Sequence, residues 1–188
     1  MEIGLYFGSF NPIHIGHCII ANYVRTHTPL QQVWLVVSPQ NPFKPATGLL
    51  NEYDRLHLVK AAIEGVDGLH ASDIEFHLPR PSYTIDTLTY LAEKFPQHQF
   101  SIVMGSDGYQ NIEKWKNAPV LLARYPIYVY QRPGFLVSPY SEKTTIVNAP
   151  LLDISATIIR QMIKENQDIK FLVPEPVRLE IEANRYYK

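Results

Sequence analysis

The chain has 188 residues, 46% of them hydrophobic, which is enough for one well-buried core and does not demand a second domain. Seventeen Lys and Arg against eighteen Asp and Glu leave a net charge of -1, which argues against a general polyanion-binding surface and so against nucleic acid as a partner. One cysteine forms no intrachain disulfide, no apolar run reaches membrane-spanning length, and Met1 leads straight into a strand pattern without a leader segment, so a cytoplasmic protein with no membrane contact is expected.

Ile3, Leu5 and Phe7 alternate with Glu2, Gly4 and Tyr6, predicting a short strand that runs from an edge into the core and stops at the cluster Gly8, Ser9, Asn11 and Pro12. Beyond it, Ile19, Ile20, Tyr23 and Val24 recur at spacings of three and four and predict a helix of about three turns. The start of such a helix carries unpaired N–H groups and a positive dipole end, so the strand-loop-helix unit is a candidate anion site to which His14 and His17 add donors. On residue type alone the two histidines also fit a structural role. They fit zinc poorly, because there is no HExxH arrangement and Cys18 is not spaced as a ligand, so no metal ligand is assigned.

Residues 33–37, VWLVV, predict a strand covered on both faces. Three prolines in residues 38–45 then place Asn41, Phe43 and Lys44 in a loop at its carboxyl end. A helix is expected over 52–64, capped by Asn51, with Leu56, Val59, Ala62 and Ile63 inward and Arg55 near its first turn. Gly65 and Gly68 mark a turn, and 69–76 reads as a strand or extended segment. The stretch 79–84 opens a helix over 85–95 with Ile85, Leu88, Leu91 and Ala92 on its apolar face. A strand at 100–104 ends in Gly105, Ser106, Asp107 and Gly108, repeating the first arrangement. Trp115 follows in a polar stretch, then a helix or turn at 120–123, a strand at 127–130 ending in Arg132-Pro133-Gly134, and a last strand at 144–147. Two helices close the chain, one entered at 154–161 and ending near Asn166, the other running from Pro174 to Asn184. Strands alternating with helices predict an α/β fold: a single Rossmann-like domain over 1–188, its mostly parallel sheet between helix layers, its ligands above the carboxyl ends of the strands, and its C-terminal helical part starting near residue 155.

GSFNPIHIGH at 8–17 resembles the signature loop of the HxGH nucleotidyltransferase superfamily, and ISATIIR at 154–160 resembles its second phosphate-binding motif. SPQNPFK, SYTIDTL, MGSDGYQNIEKW and YVYQRPG, in that order along the chain, are similar to nicotinate-nucleotide adenylyltransferases within that superfamily. The resemblance implies transfer of AMP from ATP to nicotinate mononucleotide, with Mg2+ carried on the substrate phosphates and no protein metal ligand. His14, His17, Lys44 and Arg160 are the implied catalytic set, acting on the reacting phosphates and the phosphate chain. Gly8, Ser9, Phe10, Gly105, Asp107, Arg132, Ile154 and Ser155 are the implied nucleotide-binding residues. Ser82, Tyr83, Thr84, Trp115 and Lys116 are those implied for the acceptor, with Trp115 against the pyridine ring. The chain departs from the family pattern at Phe7-Gly8, Asn11 and Phe43, where members carry a second glycine, an aspartate and a histidine. An amide or other phosphorylated acceptor, and a nucleotide-binding module without turnover, are the alternative readings. Tyr186 and Tyr187 are candidates for a homo-oligomer interface or for closing packing.

Overall fold

The computed structural model describes residues 1–40, 48–132, 134–150 and 152–188; Asn41, Phe43, Lys44 and Pro133 lie outside the described residues. The strands are Glu2–Gly8 (β1), Gln32–Val37 (β2), Leu69–Ser72 (β3), Gln99–Gly105 (β4), Ile127–Tyr130 (β5) and Thr144–Val147 (β6). They form one sheet in the order β3-β2-β1-β4-β5-β6, with every neighbouring pair parallel. Parallel neighbours need crossovers. Ile15–His27 (α1), Glu52–Ala62 (α2), Thr84–Lys94 (α3), the single turn Ser106–Tyr109 (α4) and Ala118–Arg124 (α5) lie between strands, and Ala156–Lys164 (α6) and Glu175–Asn184 (α7) follow the last one. This is the Rossmann-like α/β architecture that the alternation of patterns predicts.

The sheet divides the core. On one face Tyr6, Val33, Leu35 and Val37 meet Ile20 and Val24 of α1, Val59 of α2, Ile159 of α6 and Val177 of α7. On the other, Ile3, Leu5, Val36, Ile102 and Val129 meet Ile85, Leu88 and Leu91 of α3 and Leu121 of α5. The strand β1 is therefore central, not an edge-to-core strand, and Gly4 and Tyr6 on its even-numbered side are buried. Gly4 and Tyr6 resemble a solvent face in the sequence, but Gly4 leaves room for Leu30 and Val103, and the Tyr6 hydroxyl meets that of Tyr130 at 3.1 Å.

Three other expectations change. Ala92 is exposed, and the inward stripe of α3 is completed by Thr87, whose hydroxyl donates to Glu75 at 3.0 Å. The segment 69–76 is a four-residue strand followed by a 3₁₀ turn, Ile74–His77, that buries Ile74 and Glu75. The helix expected over 52–64 stops at Ala62, although Asn51 caps it as expected, accepting from the Tyr53 N–H at 2.9 Å. Tyr186 and Tyr187, partly buried, pack against the first core face. Among the described residues no helix is long and apolar enough to cross a membrane.

The chain leaves β1 between β2 and β4, on opposite sides of which the crossovers run, so a crevice opens at the carboxyl end of β1. Pairing of β1 with β4 ends at Tyr6 and Val103, so Phe7 and Gly8 run on without a β4 partner. A Cβ on Gly4 would come within 2.6 Å of Leu30 Cδ1 and 2.9 Å of Val103 Cγ2. Gly4→Ala is therefore expected to destabilise the chain by about 1–3 kcal/mol through overpacking, read as a lower midpoint in chemical denaturation.

Candidate active site

All the sequence-predicted site residues that are described line one cavity of about 1030 Å³ at the carboxyl ends of the strands; Lys44 lies outside the described residues. Its polar side comes from the β1–α1 loop, the start of α6 and the loops after β4 and β5, and its flat side from Trp115 with the start of α3.

The first is the loop from β1 into α1. Gly8 lies under the Phe10 ring, where an added Cβ would come 2.8 Å from Cζ, and Phe10 takes a left-handed φ of 44° with its ring buried. His14 sits at the N-cap of α1 and His17 one turn on, with ring centroids 3.7 Å apart and planes 28° from parallel. The His14 backbone N–H donates to Nδ1 of His17 at 3.2 Å. An imidazole nitrogen that accepts carries no proton, so the His17 proton is on Nε2. Burial, then the charge of Arg132, pushes the pKa of His14 down to about 4, so that ring is neutral near pH 7. Asn11 bridges this loop to the start of α2: its amide donates to Gly48 O at 3.0 Å and its oxygen accepts from Leu50 N–H at 3.2 Å.

The second segment is the start of α6. Ser155 accepts from the Ile158 N–H at 3.2 Å, the capping role open to it in the sequence, and Ile154, Ala156 and Thr157 line the cavity beside it. Arg160 reaches back from α6 across the cavity wall, donating to Asn11 O at 2.7 Å and to the Thr157 hydroxyl at 3.3 Å.

The third is the pair of loops after β4 and β5. Arg132 bonds Asp107 at 3.0 Å through Nη1, and its backbone N–H donates to Ser106 Oγ at 2.8 Å. Gly105 leaves room for this carboxylate, since a Cβ there would meet Asp107 Oδ1.

The flat side is made of Trp115, Tyr83 and the start of α3. The Lys116 ammonium is bound by both Asp86 oxygens at 3.1 and 2.8 Å and stands 4.8 Å from the Tyr83 ring centroid. Its charge therefore ties this wall to α3 and is not directed at a ligand. The Lys116 backbone N–H, and those of Thr84 and Ile85 at the start of α3, have no protein partner among the described residues. Ser82 is buried, and its hydroxyl has no partner of hydrogen-bond geometry among the described residues.

Sequence reasoning missed two buried charged groups. Glu75 is 1% exposed at the cavity wall; burial raises its pKa, while the hydroxyls of Ser38, Thr87 and Ser82 pull it the other way. Its signal was an acid inside the apolar run Ile74-Glu75-Phe76. Arg55, read as a first-turn helix residue, is fully buried behind the cavity. Among the described residues no three His, Cys, Asp or Glu side chains come together where they could hold a metal ion.

Residues 5–162 match the family model described as cytidylyltransferase-like. The chain is 50% identical to the probable nicotinate-nucleotide adenylyltransferase of Cytophaga hutchinsonii, covering 100% of this chain and 98% of that protein. It is 46% identical to the probable enzyme of the same description from Flavobacterium psychrophilum, with 100% of both chains covered. Among solved structures it is similar in fold, at TM-score 0.85 and 21% identity over 99% of this chain and 97% of the other, to Plasmodium falciparum nicotinic acid mononucleotide adenylyltransferase complexed with NaAD.

The depressed pKa of His14 has a stability consequence in the ligand-free protein. Above the ordinary value of 6.5 both folded and unfolded chains hold it neutral; between 6.5 and about 4 only the unfolded chain takes the proton, so stability is lost as pH falls through that window. From pH 7 to pH 5 His14 is expected to account for a loss of about 2 kcal/mol. Denaturation midpoints of wild type and His14→Gln at the two pH values check this: the variant should fall less than the wild type.

Proposed function

The chain belongs to the cytidylyltransferase-like family and, within it, to the nicotinate-nucleotide adenylyltransferases, and from that premise we propose how its residues divide the work. The reaction transfers AMP from ATP to nicotinate mononucleotide and yields deamido-NAD and pyrophosphate. A nucleotide monophosphate is largely ionised near neutral pH, so its oxygen attacks the α-phosphorus of ATP without a protein base. A bond forms between that oxygen and the α-phosphorus, the bond from the α-phosphorus to the bridging oxygen breaks, and its electron pair leaves on pyrophosphate. The protein's task is in-line placement and donors for the charge that grows on the α-phosphate and the leaving group.

The observation that carries this reading is the convergence of His14, His17, Arg160 and the start of α6 on one cavity. His17 offers Nε2–H to the α-phosphate, held in that tautomer by the His14 backbone, and His14 assists as a neutral donor. Arg160 and Lys44 hold the phosphate chain, and the start of α6 with Ser155 and Ile154 receives its terminal phosphate. Gly8, Ser9 and Phe10 contact nucleotide through the backbone, and Gly105, Asp107 and Arg132 border its sugar hydroxyls. The Asp107–Arg132 pair leaves the carboxylate able to accept further bonds. The triphosphate enters as its Mg2+ complex, with the ion on phosphate oxygens, a mode that needs no dedicated protein cage.

For the acceptor, Trp115 stacks on the pyridine ring, Ser82 and Tyr83 border it, and the N–H groups of Thr84 and Lys116 take the carboxylate. Two backbone donors and a helix dipole favour an anion there over an amide, whose NH₂ would meet donors already in place. The helical part from residue 155 onward contributes Arg160 to the same cavity, which supports one domain over 1–188. A reducing cytoplasm is the proposed setting, which fits a sequence whose one cysteine, Cys18, can form no intrachain disulfide.

A pyrophosphate-release assay with ATP and the acid or amide mononucleotide, in Mg2+ and in chelator, tests the reading. Release is expected with the acid, in Mg2+, and a wild-type preference for the amide would overturn the nicotinate assignment. His17→Ala should lower kcat by about 10²–10³, as loss of a transition-state donor does, with the folded state retained by circular dichroism. Trp115→Ala should weaken acid and amide alike, by about 1–3 kcal/mol in kcat/KM, and leave the acid-to-amide ratio in its wild-type order. Wild-type efficiency with both acceptors would take Trp115 out of the pocket.

A further inference from the structure

Arg55 has no part in the chemistry above, yet it is 0% exposed and four of its donor bonds go to backbone carbonyls of two connections, β1–α1 and β2–α2. Nε donates to Leu50 O at 2.8 Å, Nη1 to Ser9 O at 2.6 Å and to Ser38 O at 2.9 Å, and Nη2 to Pro39 O at 3.3 Å. Among the described residues no carboxylate pairs with it, and the nearby Glu52 is engaged by Arg80 at 2.7 Å. A buried cation bonded to carbonyl dipoles, with Glu52 acting on it from a distance, is an expensive device for joining loops, and neutral side chains could join them at lower cost.

Across a trans peptide the carbonyl and the following N–H point opposite ways. The cis bonds are at Asn11-Pro12 and Arg80-Pro81, so the 9–10 and 39–40 peptides are trans. Fixing Ser9 O and Pro39 O on Arg55 therefore turns the Phe10 and Gln40 N–H groups away from it, toward the cavity that both residues line. Neither N–H has a protein partner among the described residues. The left-handed φ of 44° at Phe10 is costly for a residue with a side chain, and the bond to Ser9 O is one of the contacts that hold it.

We propose that Arg55 is a positioning residue for phosphate binding: it fixes the Ser9–Phe10 and Pro39–Gln40 peptides so that the Phe10 and Gln40 N–H groups receive phosphate oxygens, and its charge polarises those donors from behind. The ligand's phosphates then add negative charge in front of a guanidinium whose carboxylate neighbour, Glu52, is engaged by Arg80. The inference rests on the nucleotide-binding reading but concerns phosphate alone. Lysine keeps the charge and loses the fork that reaches several carbonyls at once.

Calorimetric titration of the full chain with ATP, adenosine and inorganic triphosphate, for wild type, Arg55→Lys and Arg55→Gln, tests it alongside ¹H–¹⁵N spectra of the wild type. In a folded Arg55→Lys chain ATP affinity should fall about tenfold or more while adenosine affinity stays within twofold, and Arg55→Gln should fall further. In the wild type the Phe10 and Gln40 amide signals should move with inorganic triphosphate and not with adenosine. Equal proportional losses for ATP and adenosine, or unchanged ATP affinity in a folded variant, would overturn the proposal. Stationary Phe10 and Gln40 signals at saturating triphosphate would overturn it without any variant, which decides the matter if both substitutions unfold the chain. Those results in a wild type that still binds ATP and releases pyrophosphate sink only the role of Arg55; a wild type that binds neither ATP nor triphosphate sinks the nucleotide reading too.

Discussion

Everything in this molecule is arranged around the place where β1 runs out of sheet. A central parallel strand is hydrogen-bonded to both neighbours and covered on both faces, and past Tyr6, where its pairing with β4 ends, β1 is still held by β2: Gly8 is paired with Val37, and the Ser38 N–H continues the ladder by donating to Gly8 O at 2.9 Å. Only past that point is the backbone released from regular pairing, and it is released into a crevice. The loop that follows inherits its position from two strands rather than from its own weak local preferences, which is how a short run with a left-handed phenylalanine keeps one shape.

The electrostatics of the cavity follow from scarcity. The chain carries nearly equal numbers of acids and bases, so a site for a polyanion cannot draw on a general positive field. It is made instead from oriented dipoles, with charges held in reserve. His14 is kept neutral by burial, Lys116 is committed to Asp86, and Arg132 is committed to Asp107. Such commitments limit the repulsion among cations when no ligand is present, and they leave orientation, rather than net charge, as the means of discrimination.

Much of this was legible in the sequence because the strands are short apolar runs bounded by glycine and proline, and because the phosphate-facing motifs lie at strand ends where such motifs belong. What could not be read shares one property: it depends on what covers a residue from far along the chain. Gly4 and Tyr6 passed for a solvent face because nothing local says that α1 and Leu30 lie over them. Ala92 passed for a core position on helical spacing alone, while Thr87, buried by virtue of its bond to Glu75, did not register as one. Arg55 and Glu75 were unremarkable in composition because a buried charge is recognised by its partners, and those partners are backbone carbonyls and hydroxyls contributed by other loops. Ser155 shows the opposite case, in which the cap was readable from the residue and its position before a helix.

Two bonds tie the first loop to the end of the chain: Arg160 holds the carbonyl of Asn11, and the Ile15 N–H, the opening amide of α1, donates to Leu172 O at 3.0 Å. During synthesis on a ribosome the signature loop emerges long before these partners, Arg160 lying 149 residues beyond Asn11. The segment that brings them, from α6 to α7, also covers one face of the sheet with Ile159, Ile163 and Val177, so the loop receives its last restraints together with the closing of that core face.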